Sequence, residues 1–144
     1  MAIKQLSVYL ENRPGTLAET IRSISDAGIS IRALSLADTA EFGILRLITD
    51  DIVKTEQLLA TKTIVKLADV IAVKMEDQPG GLRNILDVLE EANVNIEYLY
   101  AFAAPYQSAY AIFRVDDFRI AEDCLNKNGI TTLQDGDLQT LLEM

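Results

Sequence analysis

The chain repeats itself. Glu11-Asn12-Arg13-Pro14-Gly15-Thr16-Leu17 recurs 65 residues later as Glu76-Asp77-Gln78-Pro79-Gly80-Gly81-Leu82. Held without a gap over positions 6 to 36, that offset gives eight identities: Val8/Val73, Glu11/Glu76, Pro14/Pro79, Gly15/Gly80, Leu17/Leu82, Ala27/Ala92, Ile31/Ile96 and Leu34/Leu99. Apolar character also matches at Leu6/Ile71, Leu10/Met75, Ile21/Leu86, Ile24/Leu89 and Ile29/Val94. The second copy is longer around Pro105, and the two realign at Ile44–Leu47 and Ile112–Val115. A repeat of this length means that one structural unit is built twice. The expected domains are residues 1–68 and 69–144.

Each copy alternates periods in the same order. Leu6, Val8 and Leu10 alternate with polar neighbours, as do Ile71, Val73 and Met75, which is strand patterning. A Pro-Gly turn follows. Leu17, Ile21 and Ile24, and Leu82, Leu86 and Leu89, then recur at helical spacing. Pro14 and Pro79 suit a first helical turn, and Asn12 and Asp77 are residue types that satisfy helix-start donors. Gly28 and Asn93 tolerate the left-handed conformation that ends a helix. Two strands are expected next, Ile29–Ala37 with Phe42–Thr49 and Val94–Ala103 with Ala109–Val115. Asp38–Glu41 forms the hairpin turn in the first copy, and a wider connection around Pro105 serves the second. Helices over about 51–61 and 118–128 and short strands near Ile64–Leu67 and Ile130–Gln134 complete the copies. The order is βαββαβ twice, an α+β fold of the ferredoxin-like type with antiparallel sheets and helices on one face. A small terminal helix is expected around Leu138 and Leu141. On the face away from the helices, Tyr9, Leu34 or Leu36, Leu99, Ile44 and Ile112 give an apolar surface of the kind that marks an interface. Further pairing into a homodimer is therefore expected.

Composition narrows the function classes. The hydrophobic share of 49% supports a packed core. Net charge is −9 and uneven: residues 1–67 carry eight basic and eight acidic side chains, residues 68–144 five and fourteen. An acidic half repels phosphate backbones, which argues against nucleic acid. No apolar stretch approaches a membrane span. The N-terminus lacks a signal-peptide pattern, so a cytoplasmic location is expected. There is no histidine and one cysteine, Cys124, so the commonest general base and metal ligand are missing and no intrachain disulfide forms. Neither a Cys-x-x-Cys pair nor any other cofactor or metal motif is present, so no cofactor is expected. Asp50-Asp51 and Asp116-Asp117 stand where strands give way to helices and read as caps, not as catalytic pairs. Arg46 and Arg114 match between copies and read as edge ion pairs. Tyr98, Tyr100, Phe102 and Tyr106 read as strand and loop packing, or as a wall for a ligand side chain. A non-catalytic protein is the expectation.

The turn before the first helix of each copy is the best candidate for recognition. Unpaired amides and the positive end of the helix dipole suit a carboxylate. Gly15, Gly80 and Gly81 permit close approach to the backbone. Asn12 has donor and acceptor atoms, and Asp77 has acceptors that suit an ammonium group. Together these match a free α-amino acid.

Asn12-Arg13-Pro14-Gly15-Thr16-Leu17 followed by Ala27-Gly28-Ile29-Ser30-Ile31 resembles the signature of ACT domains. So does Asp77-Gln78-Pro79-Gly80-Gly81-Leu82 with Ala92-Asn93-Val94-Asn95-Ile96. The resemblance covers nearly the whole chain. It implies regulatory modules that pair and bind a free amino acid at the pair interface, with catalysis in a partner enzyme. It also implies that the polar residue of the turn, Asn12 or Asp77, works with a second-strand residue of the pairing domain, Asn95 or Ser30. Asn12 with Asn95 keeps both family amides, while Asp77 with Ser30 departs at both places. The expected function is a stand-alone sensor or regulatory subunit of amino-acid metabolism. The alternative is a structural or dimerisation module for a partner enzyme, with no ligand of its own.

Overall fold

The first residues to leave solvent are those the alternation marks. In the computed structural model, which describes residues 2–38, 42–104 and 108–137, β1 (Ile3–Glu11) turns Leu6, Val8 and Leu10 inward. It is followed by α1 (Thr16–Asp26), β2 (Ile31–Asp38), β3 (Phe42–Thr49) and α2 (Ile52–Ala60). β4 (Val65–Glu76) runs through the expected boundary, so its first residues end one copy and its later residues begin the next. Then come α3 (Gly81–Glu91), β5 (Ile96–Ala104), β6 (Ser108–Val115), α4 (Phe118–Lys127) and the two-residue β7 (Thr132–Leu133). The chain divides into two compact units, Lys4–Ala68 and Asp69–Met144, the latter grouped with Met1–Ile3.

Within the first unit β3 lies between β2 and β1, antiparallel to both. The amide of Tyr9 donates to the carbonyl of Ile64 at 3.1 Å, bringing the start of β4 alongside β1. Leu6, Val8, Leu10, Ile24, Ile29, Leu45, Leu47 and Leu59 make one core between sheet and helices. In the second unit β6 lies between β5 and β4, and β7 pairs with β4 at Ala72 and Val73. Its core is built by Ile71, Val73, Ile85, Leu89, Phe113, Val115 and Leu125 with their neighbours. Both units are βαββαβ with helices on one face, as the periodicity predicts.

Helix ends follow the expected residues at one end and not at the other. Gly28 (φ 76°) and Asn93 (φ 57°) adopt the left-handed conformation. The amides of Ile29 and Val94 then bond back to the carbonyls of Ile24 and Leu89, which closes both helices in the same way. At the start, the N-caps are Gly15 and Gly80, and neither helix receives a side-chain cap bond. Asn12 and Asp77 stand three residues ahead of those caps. Pro14 and Pro79 lie in the turn, not in the first helical turn.

One expectation about the sheet faces is overturned. Leu34 pairs with Leu47 and Leu36 with Leu45, and Leu99 pairs with Phe113. Paired residues share a face, and Leu45, Leu47 and Phe113 are core residues on the helix side. Leu34, Leu36 and Leu99 therefore point to the helix side as well. The register shifts at Ile31/Ala33 and at Ile96/Tyr98 are the cause, since one extra residue in a strand reverses the alternation after it. Tyr9, Ile44 and Ile112 keep the face away from the helices, by their pairing with neighbours out of the core register. The expected hairpin turn beyond Asp38, the Pro105 connection with Tyr106, and the terminal helix around Leu138 and Leu141 lie outside the described residues.

Candidate functional site

The β1–α1 turn is the same object in both units. Arg13 N–H donates to the Glu11 carbonyl, and Gln78 N–H to the Glu76 carbonyl, each at 2.9 Å. Gly15 (φ 91°, ψ −17°) and Gly80 (φ 88°, ψ −7°) hold the left-handed geometry that a side chain disfavours. The first helical bond of α1 is Glu19 N–H to the Gly15 carbonyl at 2.9 Å. The amides of Leu17 and Ala18 precede it and point out of the positive end of the helix.

Around the first turn the surface forms a small depression of about 100 Å³, bounded by Asn12, Arg13, Leu17, Leu36 and Gly43 with their neighbours. Its rim is apolar, because Leu17 is 37% and Leu36 49% exposed. Leu17 belongs to the predicted helical stripe, yet of that stripe only Ile24 is fully buried. The sheet reversal at Ile31/Ala33 is what brings Leu36 to this rim.

The turns differ in detail. Thr16 Oγ1 donates to the Arg13 carbonyl at 3.0 Å, and Arg13 Nε pairs with Glu11 Oε2 at 2.9 Å. Where the first unit has Thr16, the second has Gly81, and a β carbon there would stand 2.4 Å from the Glu76 carbonyl oxygen. The second turn is drawn tighter against its own strand than the first.

Ser30 and Asn95 occupy the starts of β2 and β5, beside Ile31 and Ile96. β2 runs parallel to β1, since both are antiparallel to β3. Ser30 is therefore at the opposite end of its sheet from Asn12, about 25 Å along an eight-residue strand. The same reasoning separates Asp77 from Asn95. No single unit joins its own turn to its own second-strand residue.

Both strand starts are clamped, a feature that the cap reading of the aspartates missed in part. Asp50 Oδ1 accepts from Ser30 N–H at 3.0 Å, and Asp50 N–H donates to the Ser30 carbonyl at 3.0 Å. Asp116 does the same for Asn95, at 3.0 and 3.1 Å. Asp51 and Asp117 are the helix caps, accepting from Lys54 N–H and Ile120 N–H. Each Asp-Asp pair thus has two jobs: the first residue fixes the backbone of the strand start, and the second starts a helix. The side chains of Ser30 and Asn95 remain exposed. The signal was present in the sequence, since the Asp pairs follow Ser30 and Asn95 at nearly the same distance, 20 and 21 residues.

Other candidates resolve locally. Arg114 pairs with Glu97 at 3.4 Å and donates to the Asp69 carbonyl at 3.0 Å; the ion pair forms, but on the central strand β6 and not at a sheet edge, and with Arg46 opposite Ser35 and Arg114 opposite Tyr98 the two arginines do not occupy matching places. Tyr98, Tyr100 and Phe102 pair with Arg114, Ile112 and Tyr110, so they share the face away from the helices. The rings of Phe102 and Tyr110 are 5.7 Å apart. Cys124 donates weakly to the Val88 carbonyl. Among the described residues no group of acidic, cysteine or histidine side chains has the arrangement of a metal site, and no helix is long and apolar enough to cross a membrane.

Comparison with known proteins agrees with this geometry. A family model described as an ACT domain pair matches residues 1–142. The protein BT0572 from Bacteroides thetaiotaomicron is similar in structure, with a TM-score of 0.91, 33% identity and 98% of both chains covered. The regulatory subunit of aspartate kinase from Thermus thermophilus, in a ligand-free form, shares the fold at a TM-score of 0.65 and 13% identity, over 88% of this chain and 93% of that one. The structure of aspartokinase alpha and beta subunits matches at 0.61 and 16% identity, over 86% and 90%. No curated protein matches the chain.

Proposed function

Because the chain belongs to the ACT domain pair family, we propose that it is a non-catalytic sensor that binds a free amino acid at the β1–α1 turn. The reading rests on one observation: both units repeat a Gly-cornered turn that leaves the start of a helix without a side-chain cap. A carboxylate placed there meets amides and the helix dipole. Asn12 offers acceptor and donor atoms for the ammonium group and its neighbours. Leu17 and Leu36 provide apolar contact for a side chain. A depression of about 100 Å³ is shallow for such a ligand, since small-molecule sites run from about 300 Å³ upward. The second wall comes from another ACT domain, in the same chain or in a second copy. Asn95 or Ser30, on strand starts held rigid by Asp116 and Asp50, are the side chains that would complete it. In this scheme the site residues are Asn12–Leu17 with Asn95 and Ile96, and Asp77–Leu82 with Ser30 and Ile31.

The biological role follows from the binding. A ligand that favours one arrangement of the paired domains shifts a partner's balance by its differential affinity for the two states. A regulatory subunit acting on an enzyme of amino-acid metabolism, as a homodimer in the cytoplasm, fits this scheme. The likeness in fold to a regulatory subunit of aspartate kinase supports it. A thermal-shift screen against the twenty amino acids tests the reading. At a hundred times the dissociation constant, ligand binding adds about 2.7 kcal/mol to stability and raises the melting temperature by several degrees. A flat response to all twenty removes the sensor and leaves a dimerisation module.

A further inference from the structure

The depression beside the first turn has an apolar floor and a polar mouth. Gly43 stands opposite Leu10, so it lies with that core residue on the helix-side face of the sheet. It carries no side chain, and the space over it is bordered by Leu17 from α1 and Leu36 from β2. Leu36 leans across: a β carbon on Gly43 would stand 3.4 Å from Leu36 Cδ1. The charged groups of the mouth are committed to each other. Arg13 Nε is held by Glu11 at 2.9 Å, and Thr16 Oγ1 donates to the Arg13 carbonyl. The depression therefore offers a ligand side chain two leucines and a bare stretch of backbone, with no unpaired charge among the described residues that line it.

The second unit shows that the fold does not require this arrangement. Leu36 stands opposite Leu45 as Ala101 stands opposite Ala111, and Gly43 opposite Leu10 as Ala109 opposite Met75. Ala101 and Ala109 are thus the counterparts of Leu36 and Gly43. Ala109 is buried, and Leu82, in the place of Leu17, packs against the core of its unit. Leu17 and Leu36 instead stay 37% and 49% exposed. Leu34 is a different case: its counterpart Leu99 is exposed too, so that position is a feature of both copies. Folding accounts neither for the missing β carbon at Gly43 nor for the larger side chain placed over it.

We infer that the first turn site selects an amino acid with a branched aliphatic side chain (valine, leucine or isoleucine), seated over Gly43 between Leu17 and Leu36. This rests on the turn being the amino-acid site and adds which side chain that site takes. A charged or amide side chain would exchange water for two leucines and find no partner, which penalises it. The depression, of about 100 Å³, is smaller than the roughly 150 Å³ of a cavity that holds a benzene ring, which disfavours aromatic side chains. Gly43 and Leu36 are the specificity-determining residues: the first sets the depth of the floor and the second supplies the apolar wall.

Calorimetry of the full chain with each of the twenty amino acids tests it. One of the three branched amino acids is expected to bind tightest, by about tenfold or more over alanine, the scale of a few methylenes in an apolar pocket. Gly43→Ala copies Ala109 and sets its β carbon against the flexible end of Leu36, so the fold should stand, as an unchanged melting temperature would report. It should weaken the branched ligand by about tenfold and alanine by much less. Leu36→Ala should narrow the gap between branched and polar ligands. Such changes in ratio separate a selecting wall from a mere part of a domain interface, whose loss would lower all affinities alike. A chain that binds no amino acid loses the turn site and the inference together. If any other amino acid binds tightest, or if Gly43→Ala weakens the branched ligand and alanine equally, the turn site stands and the inference is overturned.

Discussion

The two units share a backbone plan and differ in how they use its polar positions. The first has Thr49 and Thr55 buried, with their Oγ1 atoms 2.9 Å apart and Thr55 donating to the Asp51 carbonyl. Val115 stands opposite Ile96 as Thr49 stands opposite Ile31, so the structure corrects the match of Leu47 with Val115 read from the sequence by two residues; at the places of Thr49 and Thr55 the second unit has Val115 and Ala121, also buried. The first has Thr16 at the head of α1 where the second has Gly81. It closes α1 with Gly28 where the second closes α3 with Asn93. The comparison teaches that strand order and helix caps tolerate either chemistry, whereas the turn, the depression beside it and the core interior are where the copies have been free to diverge.

The sharpest break between the copies is at the head of the helix. Gly81→Ala drives a β carbon to 2.4 Å from the Glu76 carbonyl oxygen, a backbone atom that cannot swing aside. A loss of about 2–3 kcal/mol in urea unfolding is expected. Thr16→Gly, the reverse change in the other copy, removes one hydroxyl bond and some helix propensity and should cost about 1–2 kcal/mol. If Gly81→Ala proves the milder of the two, the turns are not built differently.

Ligand binding extends the comparison to function. With Asn12 and Asn95 as the better-matched pair, Asn12→Ala should lower affinity by about tenfold in calorimetry. Asp77→Ala should change the first binding event little. Equal losses would mean that the two turns are equivalent.

Smaller effects refine the picture. Gly28→Ala places a side chain at φ 76° and should cost about 1 kcal/mol, while Asn93→Gly relieves φ 57° and should stabilise by up to about 1 kcal/mol. The smallest expected change belongs to the double variant Thr49→Val/Thr55→Ala, which copies the second unit's core into the first. Replacing both partners of a buried hydroxyl pair is near neutral, within about 0.5 kcal/mol. Thr55→Ala alone removes one hydrogen-bond contact of the buried Thr49 hydroxyl, together with the Thr55 bond to the Asp51 carbonyl, and should cost about 1–3 kcal/mol. A double variant worse than that single one would show that the hydroxyls organise more than each other.

Much of this could be read from residues along the chain. Alternation at Leu6, Val8 and Leu10, the stripe at Leu82, Leu86 and Leu89, and the left-handed stops at Gly28 and Asn93 are local, and local rules carried them. The roles of Asn12 and Asp77 as helix caps were misread, since Gly15 and Gly80 take the cap position and the polar residues fall outside it. The aspartates were half-read: Asp51 and Asp117 cap helices, but Asp50 and Asp116 act across 20 and 21 residues on the strand starts.

By itself the sequence determined that one βαββαβ plan is used twice, because period-2 and helical spacing are set by neighbours a few residues apart. Only the tertiary structure decided which face Leu34, Leu36 and Leu99 take, because a one-residue bulge in a strand leaves no mark in composition yet reverses every side chain after it. It alone also gathered Leu17, Leu36 and Gly43 around one depression, since residues about 20 positions apart become neighbours through packing and not through any spacing that can be read along the chain.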